Sequence, residues 1–182
     1  MELNTQSCYA EFKQKSAFLT QYAKQIDFND YEWFEHIGWD VIEVPKELYM
    51  LEPILKKLDS KFPIGRAAVL RSDLYQNYKW HTDLYRGLTV NLLLSAHNSS
   101  HSLFGVDKNE ENMYFHELKY KPDTFYLFNT QVPHSVINFG EPRYLFSVEF
   151  EAYSDELLYP ELYYWCVENA LVNPLATNEL KG

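Results

Sequence analysis

The sequence predicts a mainly β protein with flanking helices (α+β), and three observations predict it. Short β-prone segments recur between polar turns from Gly65 onward. Helical periodicity is confined to the chain before them and to the tail. Helices therefore precede the strands instead of alternating with them, which argues against a parallel βαβ sheet and for a sandwich or barrel.

Taken in order, residues 8–26 approximate a helical stripe through Tyr9, Phe12, Phe18, Leu19, Tyr22, Ala23 and Ile26, so a first helix is predicted there. Residues 28–38 are aromatic and acidic and read as a loop or short turn, and Val41–Val44 as a short strand. Lys46–Lys61 reads as a second helix with Leu48, Leu51, Leu55 and Leu58 on one side, bracketed by Pro45 and Pro63 and bent at Pro53. The predicted strands are then Ala67–Arg71, Leu88–Ser95, Met113–Leu118, Thr124–Phe128, Ser135–Asn138 and Arg143–Phe150. The tail 155–171 reads as a partly helical, aromatic lid or packing helix, whose Tyr159, Tyr163, Tyr164 and Trp165 are candidates for contact with a second subunit. One domain is expected over 1–182, with helical support from 1–64, a β core over 65–151 and an extension over 152–182.

Composition limits the function classes. Of the 182 residues, 46% are hydrophobic and 17% aromatic, enough for a packed core, and the formal net charge is −10. That balance disfavours binding to a nucleic-acid backbone; Arg66, Arg71, Lys79 and Arg86 are the clustered cations that could support it. Cys8 and Cys166 lie far apart in no metal or redox spacing and read as free thiols. With no basic-then-apolar leader and no apolar run of about 20 residues, a cytoplasmic protein without a membrane span is expected. Nothing in the sequence speaks to oligomeric state.

Two short islands carry the chemistry: Trp80-His81-Thr82-Asp83 and Pro133-His134-Ser135-Val136, with Arg143 nine residues beyond His134. In a strand or its flanking turn, residues i and i+2 share a side, so His81 and Asp83 can chelate one metal from a single segment. His134 opens a predicted strand and can close the site from a neighbour. Two neutral nitrogens and one carboxylate suit iron(II) with three coordination positions left open. Arg143 leads the alternating segment RYLFSVEF and shares a face with Leu145, Ser147 and Glu149, opposite Tyr144, Phe146, Val148 and Phe150. There it can grip a carboxylate in bidentate fashion, or else form an ordinary salt bridge with Glu141 or Glu149. His97 and His101 read as solvated loop residues, and His36 and His116 as structural.

The segments WHTDLYRGLTVNLLL and FNTQVPHSVINFGEPRYLFSVEF resemble the iron(II)- and 2-oxoglutarate-dependent dioxygenases, and are most similar to the aspartyl/asparaginyl β-hydroxylase-like branch. The resemblance runs from about Gly65 to Glu151, and Asp83 aligns the chain with the three-ligand members. It implies a double-stranded β-helix (jelly roll) with His81, Asp83 and His134 as iron ligands. It further implies that Arg143 holds the distal carboxylate of 2-oxoglutarate with Ser147 as a helper. Arg86 and Asn91 would be polar pocket residues, and the hydroxyls of Tyr78 and Tyr126 would reach the cosubstrate. Tyr75, Trp80, Tyr85 and Phe128 are further candidate wall residues. The cofactors implied are Fe(II), 2-oxoglutarate and O2. The expected activity is hydroxylation of an unactivated C–H bond in an amino acid, a peptide or protein side chain, or another small molecule, with release of succinate and CO2. Three other readings stand beside it: a non-catalytic cupin-like module binding a small molecule or metal, a zinc or manganese isomerase on a cupin barrel, and a nucleobase-repair oxygenase, which the net charge disfavours.

Overall fold

The computed structural model describes residues 5–36, 38–95, 99–109 and 112–174. Three strands, β1 (Tyr9–Lys15), β2 (Phe34–His36) and β3 (Trp39–Glu43), precede eight more. These are β4 (Ile64–Ser72), β5 (Asn77–His81), β6 (Thr89–Leu93), β7 (Ser100–Asn109), β8 (Asn112–Leu118), β9 (Thr124–Phe128), β10 (His134–Asn138) and β11 (Arg143–Phe150). They form a seven-stranded sheet in the order β1-β9-β6-β11-β4-β3-β2 and a four-stranded sheet in the order β5-β10-β7-β8. Every described pairing is antiparallel. From β4 onward the chain passes back and forth between the sheets, which is the double-stranded β-helix.

Alternation along β11 shows how this places the site. Phe146, Val148 and Phe150 join the core on the outer face of the larger sheet. Arg143, Leu145 and Ser147 face inward, between the sheets. The inner face also carries a second apolar cluster of Leu93, Phe104, Leu118, Tyr120, Tyr126, Phe128 and Leu145. The outer face is covered by short helices: α3 (Lys46–Tyr49) through Tyr49, α4 (Pro53–Asp59) through Leu55 and Leu58, and α5 (Tyr159–Glu168) through Leu162 and Cys166, all buried. Burying one such aliphatic side chain is worth about 1.5–3 kcal/mol, so this face supplies much of the stability.

The N-terminal 64 residues carry more strand than the two helices and the one short strand (Val41–Val44, found as β3) that the sequence suggests. Over 8–26 the structure has the end of the one-turn helix α1 (Thr5–Cys8), then β1, then the single-turn helix α2 (Leu19–Ala23). In β1 the buried positions are Ala10 and Phe12, a period of two, and the strand pairs with β9. Residues 28–38 hold a 3₁₀ turn and β2, and β2 and β3 extend the other edge of the larger sheet. The segment 46–61 is two helices, because Pro53 takes the first turn of α4, where a missing N–H costs nothing. Between β1 and α2 the chain is held by Glu52. Its fully buried carboxylate accepts hydrogen bonds from Ser16 Oγ (2.6 Å) and from the amides of Ala17 (2.8 Å), Phe18 (2.9 Å) and Leu19 (2.7 Å).

In the tail, Tyr159 and Tyr163 are buried in the outer core and Trp165 packs edge-on against Phe62 at 5.4 Å, so of its ring-bearing residues only Tyr164 remains well exposed. Among the described residues no helix is long and apolar enough to cross a membrane.

Candidate active site

His81 is the last residue of β5 and His134 the first of β10, and the two stand directly opposite in the antiparallel register. Their rings are 4.2 Å apart, centroid to centroid. Asp83 sits just beyond β5 with Oδ1 3.3 Å from His81 Nε2 and 3.8 Å from His134 Nε2. All three ligand atoms lie within 4.8 Å of one another. Neighbouring ligands on one octahedral cation are roughly 3 Å apart, so small side-chain adjustments close the set on a metal.

The surroundings orient each candidate ligand. His81 Nδ1 lies 2.8 Å from the Lys79 carbonyl and His134 Nδ1 2.9 Å from the Val132 carbonyl. A carbonyl only accepts, so in both rings Nδ1–H donates and Nε2 is turned toward Asp83. Arg86 Nε donates to Asp83 Oδ2, leaving Oδ1 toward the imidazoles, and Arg86 Nη1 reaches Ser147 Oγ at 3.4 Å. The two ligand-bearing loops are stitched together. Asp83 N–H donates to the Thr130 carbonyl (3.1 Å), Thr130 Oγ1 donates to the Arg86 carbonyl (2.5 Å), and Gln131 Nε2 donates to the carbonyls of Asp83 and Arg86 (2.9 Å each). The loop that leads into His134 thereby fixes the turn that carries Asp83.

These contacts set the protonation states. Burial alone would raise the Asp83 carboxyl, but the adjoining His81 and the Arg86 guanidinium outweigh it and hold it at about 2. Burial, reinforced by His81, pushes the His134 imidazole down to about 4, so it is neutral at ordinary pH. A carboxylate and a neutral imidazole are the forms that bind metal.

Deeper between the sheets, Arg143 is only 2% exposed. Its Nη2 donates to Ser102 Oγ at 3.4 Å and its guanidinium carbon lies 5.6 Å from the centre of the Tyr120 ring. Nε and Nη1 are buried with no hydrogen bond, and no described carboxylate lies within ion-pairing distance. The salt-bridge alternative fails at Glu149, which pairs with Arg66 Nη2 at 2.8 Å. Burial pulls the Arg143 pKa below its ordinary value, yet a guanidinium stays charged in water-based physiology. An unpaired buried cation is costly, and an anionic ligand is what would relieve it.

A narrow pocket links the imidazoles to Arg143. Tyr78, Arg86, Asn91 and Ser147 line it, together with Trp39, Thr89, Ser102, Tyr120 and Thr130, which the sequence does not single out. Thr89 is legible in hindsight, two positions before Asn91 on the same strand face; its Oγ1 lies 2.9 Å from Ser147 Oγ. Ser102 lies in β7, whose polar start reads as a loop in the sequence. Tyr126 does not line the pocket. Strand alternation points it inward, but its hydroxyl accepts from Lys121 N–H (3.1 Å), and Tyr120 takes the place beside Arg143. Of the other candidate walls, Phe128 lines the pocket, whereas Tyr75, Trp80 and Tyr85 are exposed. His101 belongs to β7 rather than to a loop, and its Nδ1 pairs with Glu117 Oε1 at 2.6 Å. His97 lies outside the described residues. Of the four clustered cations, Arg66 pairs with Glu149, Arg71 with Asp40 (2.7 Å) and Arg86 with Asp83.

No protein-family model matches the chain, and no curated protein matches it. Solved structures do. A Pseudomonas putida prolyl-4-hydroxylase superposes with a TM-score of 0.54 at 11% identity, over 79% of this chain and 92% of that one. The non-heme α-ketoglutarate-dependent epimerase SnoN from nogalamycin biosynthesis superposes with a TM-score of 0.52 at 11% identity, over 79% and 77%. At such identities the likeness establishes the shared fold.

Proposed function

We propose that the protein is an iron(II)- and 2-oxoglutarate-dependent oxygenase, with His81, Asp83 and His134 as metal ligands and Arg143 as the cosubstrate anchor. The observation that carries this reading is the pairing, in one pocket, of a preoriented two-histidine, one-carboxylate set with a buried cation that has no countercharge. Folds of this kind host many activities, so the site rather than the fold bears the argument; the hydroxylase and the epimerase that share the fold lend it fold-level support.

Iron(II) held there, with 2-oxoglutarate and O2, supplies the chemistry: oxidative decarboxylation to succinate and CO2 coupled to attack on an unactivated C–H bond. The chain's own part is placement. Nδ1 hydrogen bonds fix both imidazoles, and Arg86 fixes which Asp83 oxygen faces the metal. Arg143, with Ser102 and Tyr120 beside it, receives the distal carboxylate in a dry environment where a charge-assisted pair is strong. Thr89, Asn91 and Ser147 give the pocket wall hydroxyl and amide groups to meet the rest of a polar dicarboxylate. Hydroxylation of a free amino acid, a peptide or protein side chain, or another small molecule is the proposed outcome, in line with the aspartyl/asparaginyl hydroxylase-like motifs. Arg143→Gln and His134→Ala are the decisive variants. Purified protein with iron(II), ascorbate and 2-oxoglutarate should release succinate only in air, and both variants should stop it. Binding of a small acid with no succinate formed under any condition would favour the non-catalytic cupin-like module.

A further inference from the structure

The pocket holds a second arginine whose hydrogen-bonding capacity the cosubstrate anchor does not explain. Arg86 and Arg143 both line it, and among the described residues no Asp or Glu does. Arg86 follows Asp83 by three positions, so the turn that carries the carboxylate also lays the guanidinium over it. Nε is committed to Asp83 Oδ2, but Nη1 has only the long contact of 3.4 Å to Ser147 Oγ. Nη2 has no hydrogen bond to any described residue. The side chain keeps 30% of its surface exposed, so this end of the fork is reachable from solvent. Its backbone is held in place, since the Arg86 carbonyl accepts from Thr130 Oγ1 (2.5 Å) and Gln131 Nε2 (2.9 Å).

Charge counting shows what such a fork is for. Iron(II) and the 2-oxoglutarate dianion cancel, and Asp83 offsets one of the two arginines. One positive charge is left over. It lies on the Arg86 side, because Arg143 is matched by the distal carboxylate of the cosubstrate. An uncompensated charge is costly in a partly dry pocket, and a planar pair of N–H groups is suited to a carboxylate. We propose that Arg86 seats a carboxylate of the substrate through Nη1 and Nη2, with Ser147 beside it, so that the substrate is a carboxylic acid. This rests on the oxygenase reading and narrows its substrate class. The carboxylate can belong to a free small acid or to an acidic side chain of a peptide.

Proton NMR of the full-length protein loaded with manganese(II) and 2-oxoglutarate tests the proposal. The probes are butyrate, its neutral isostere butyramide, and an acetylated, amidated glycyl-glutamyl-glycine peptide. Manganese(II) broadens the lines of any molecule held near it and starts no turnover. Loading is checked first by equilibrium dialysis. A protein that takes up neither metal nor 2-oxoglutarate contradicts the oxygenase reading, whereas a loaded protein that ignores both acids contradicts only the seat at Arg86. Butyrate should bind at least about tenfold more tightly than butyramide, without displacing 2-oxoglutarate. Arg86→Gln, with metal raised to saturation, should bring acid and amide to the same affinity; a merely structural arginine would leave the preference for the acid in place. Tighter binding of the peptide than of butyrate assigns the carboxylate to an acidic side chain, and otherwise to a free small acid; both uphold a carboxylate at Arg86. Equal binding of butyrate and butyramide, or displacement of 2-oxoglutarate by butyrate, would overturn the proposal. So would an acid preference that survives Arg86→Gln, which would put the acid on the metal instead.

Discussion

Burying Arg143 without a carboxylate costs the free protein stability that a bound dicarboxylate would restore. Arg143→Met should therefore stabilise the metal-free, ligand-free protein by about 1–3 kcal/mol in urea unfolding while abolishing 2-oxoglutarate binding. A purely structural arginine would give the opposite sign. Arg86 acts differently, through the oxygen of Asp83 that it occupies. Arg86→Gln should weaken cobalt(II) or iron(II) binding by about 10–100-fold, as loss of a ligand-orienting partner usually does. Arg86→Lys, which keeps the charge but loses the fork, should recover only part of it. Acid should destabilise the metal-free protein through the same cluster. The His134 imidazole is held at about 4 against an ordinary 6.5, and the Asp83 carboxyl at about 2 against 3.8. In both cases the unfolded chain binds protons first. The His134 contribution is complete above about pH 6.5 and is lost as pH falls toward 4; that of Asp83 follows between about 4 and 2. Chemical denaturation across this range should show stability rising with pH from 4 to 6.5, and His134→Gln should flatten that part of the curve.

Single elements fix the ligand loops. Gly87 lies against the segment 153–158, and a Cβ there would stand 2.4 Å from the Leu157 carbonyl oxygen and 3.1 Å from that of Ser154. Ser154 Oγ also donates to the Leu84 carbonyl at 3.0 Å. Gly87→Ala should push this strap off the Asp83–Arg86 turn, lowering metal affinity more than it lowers the unfolding midpoint. Glu52→Ala leaves four donors at the head of α2 without their carboxylate, a loss of about 2–4 kcal/mol measurable by thermal or urea unfolding. At this scale the sequence is uneven. β11 was readable because both its faces keep strict alternation. β1 was not, because Tyr9, Phe12, Leu19 and Ala23 fall near a helical stripe by accident and only the pairing with β9 reveals a period of two. β7 begins in the polar run Asn98-Ser99-Ser100-His101, which reads as a loop until β10 and β8 bracket it.

Across the whole molecule, the fold class and the convergence of His81, Asp83 and His134 were legible in the sequence, and the strand-by-strand layout and the pocket walls were not. A candidate metal cluster needs particular side chains at particular spacings, so His81, Asp83 and His134 stand out by type and spacing, and the proposed anchor Arg143 by its charge. What surrounds them does not: Ser102, Tyr120 and Thr130 are common residues that matter only because β7, the segment after β8 and the segment before β10 converge on the pocket. The helices cover the outer face of the larger sheet and leave the inner face, with its polar pocket, to the smaller one. The division of labour follows from strand alternation, which sends Phe146 to the outer core and its neighbours Leu145 and Ser147 to the pocket.

The most direct measurement is an anaerobic titration of the metal-free protein with iron(II) and 2-oxoglutarate, followed by visible absorption. One equivalent of iron should give a charge-transfer band that needs both additions, that His134→Ala abolishes, and that Arg143→Gln restores only at far higher 2-oxoglutarate. Should the protein retain no iron, or should the band form undiminished in His134→Ala, the three residues do not share a cation and the oxygenase assignment is wrong.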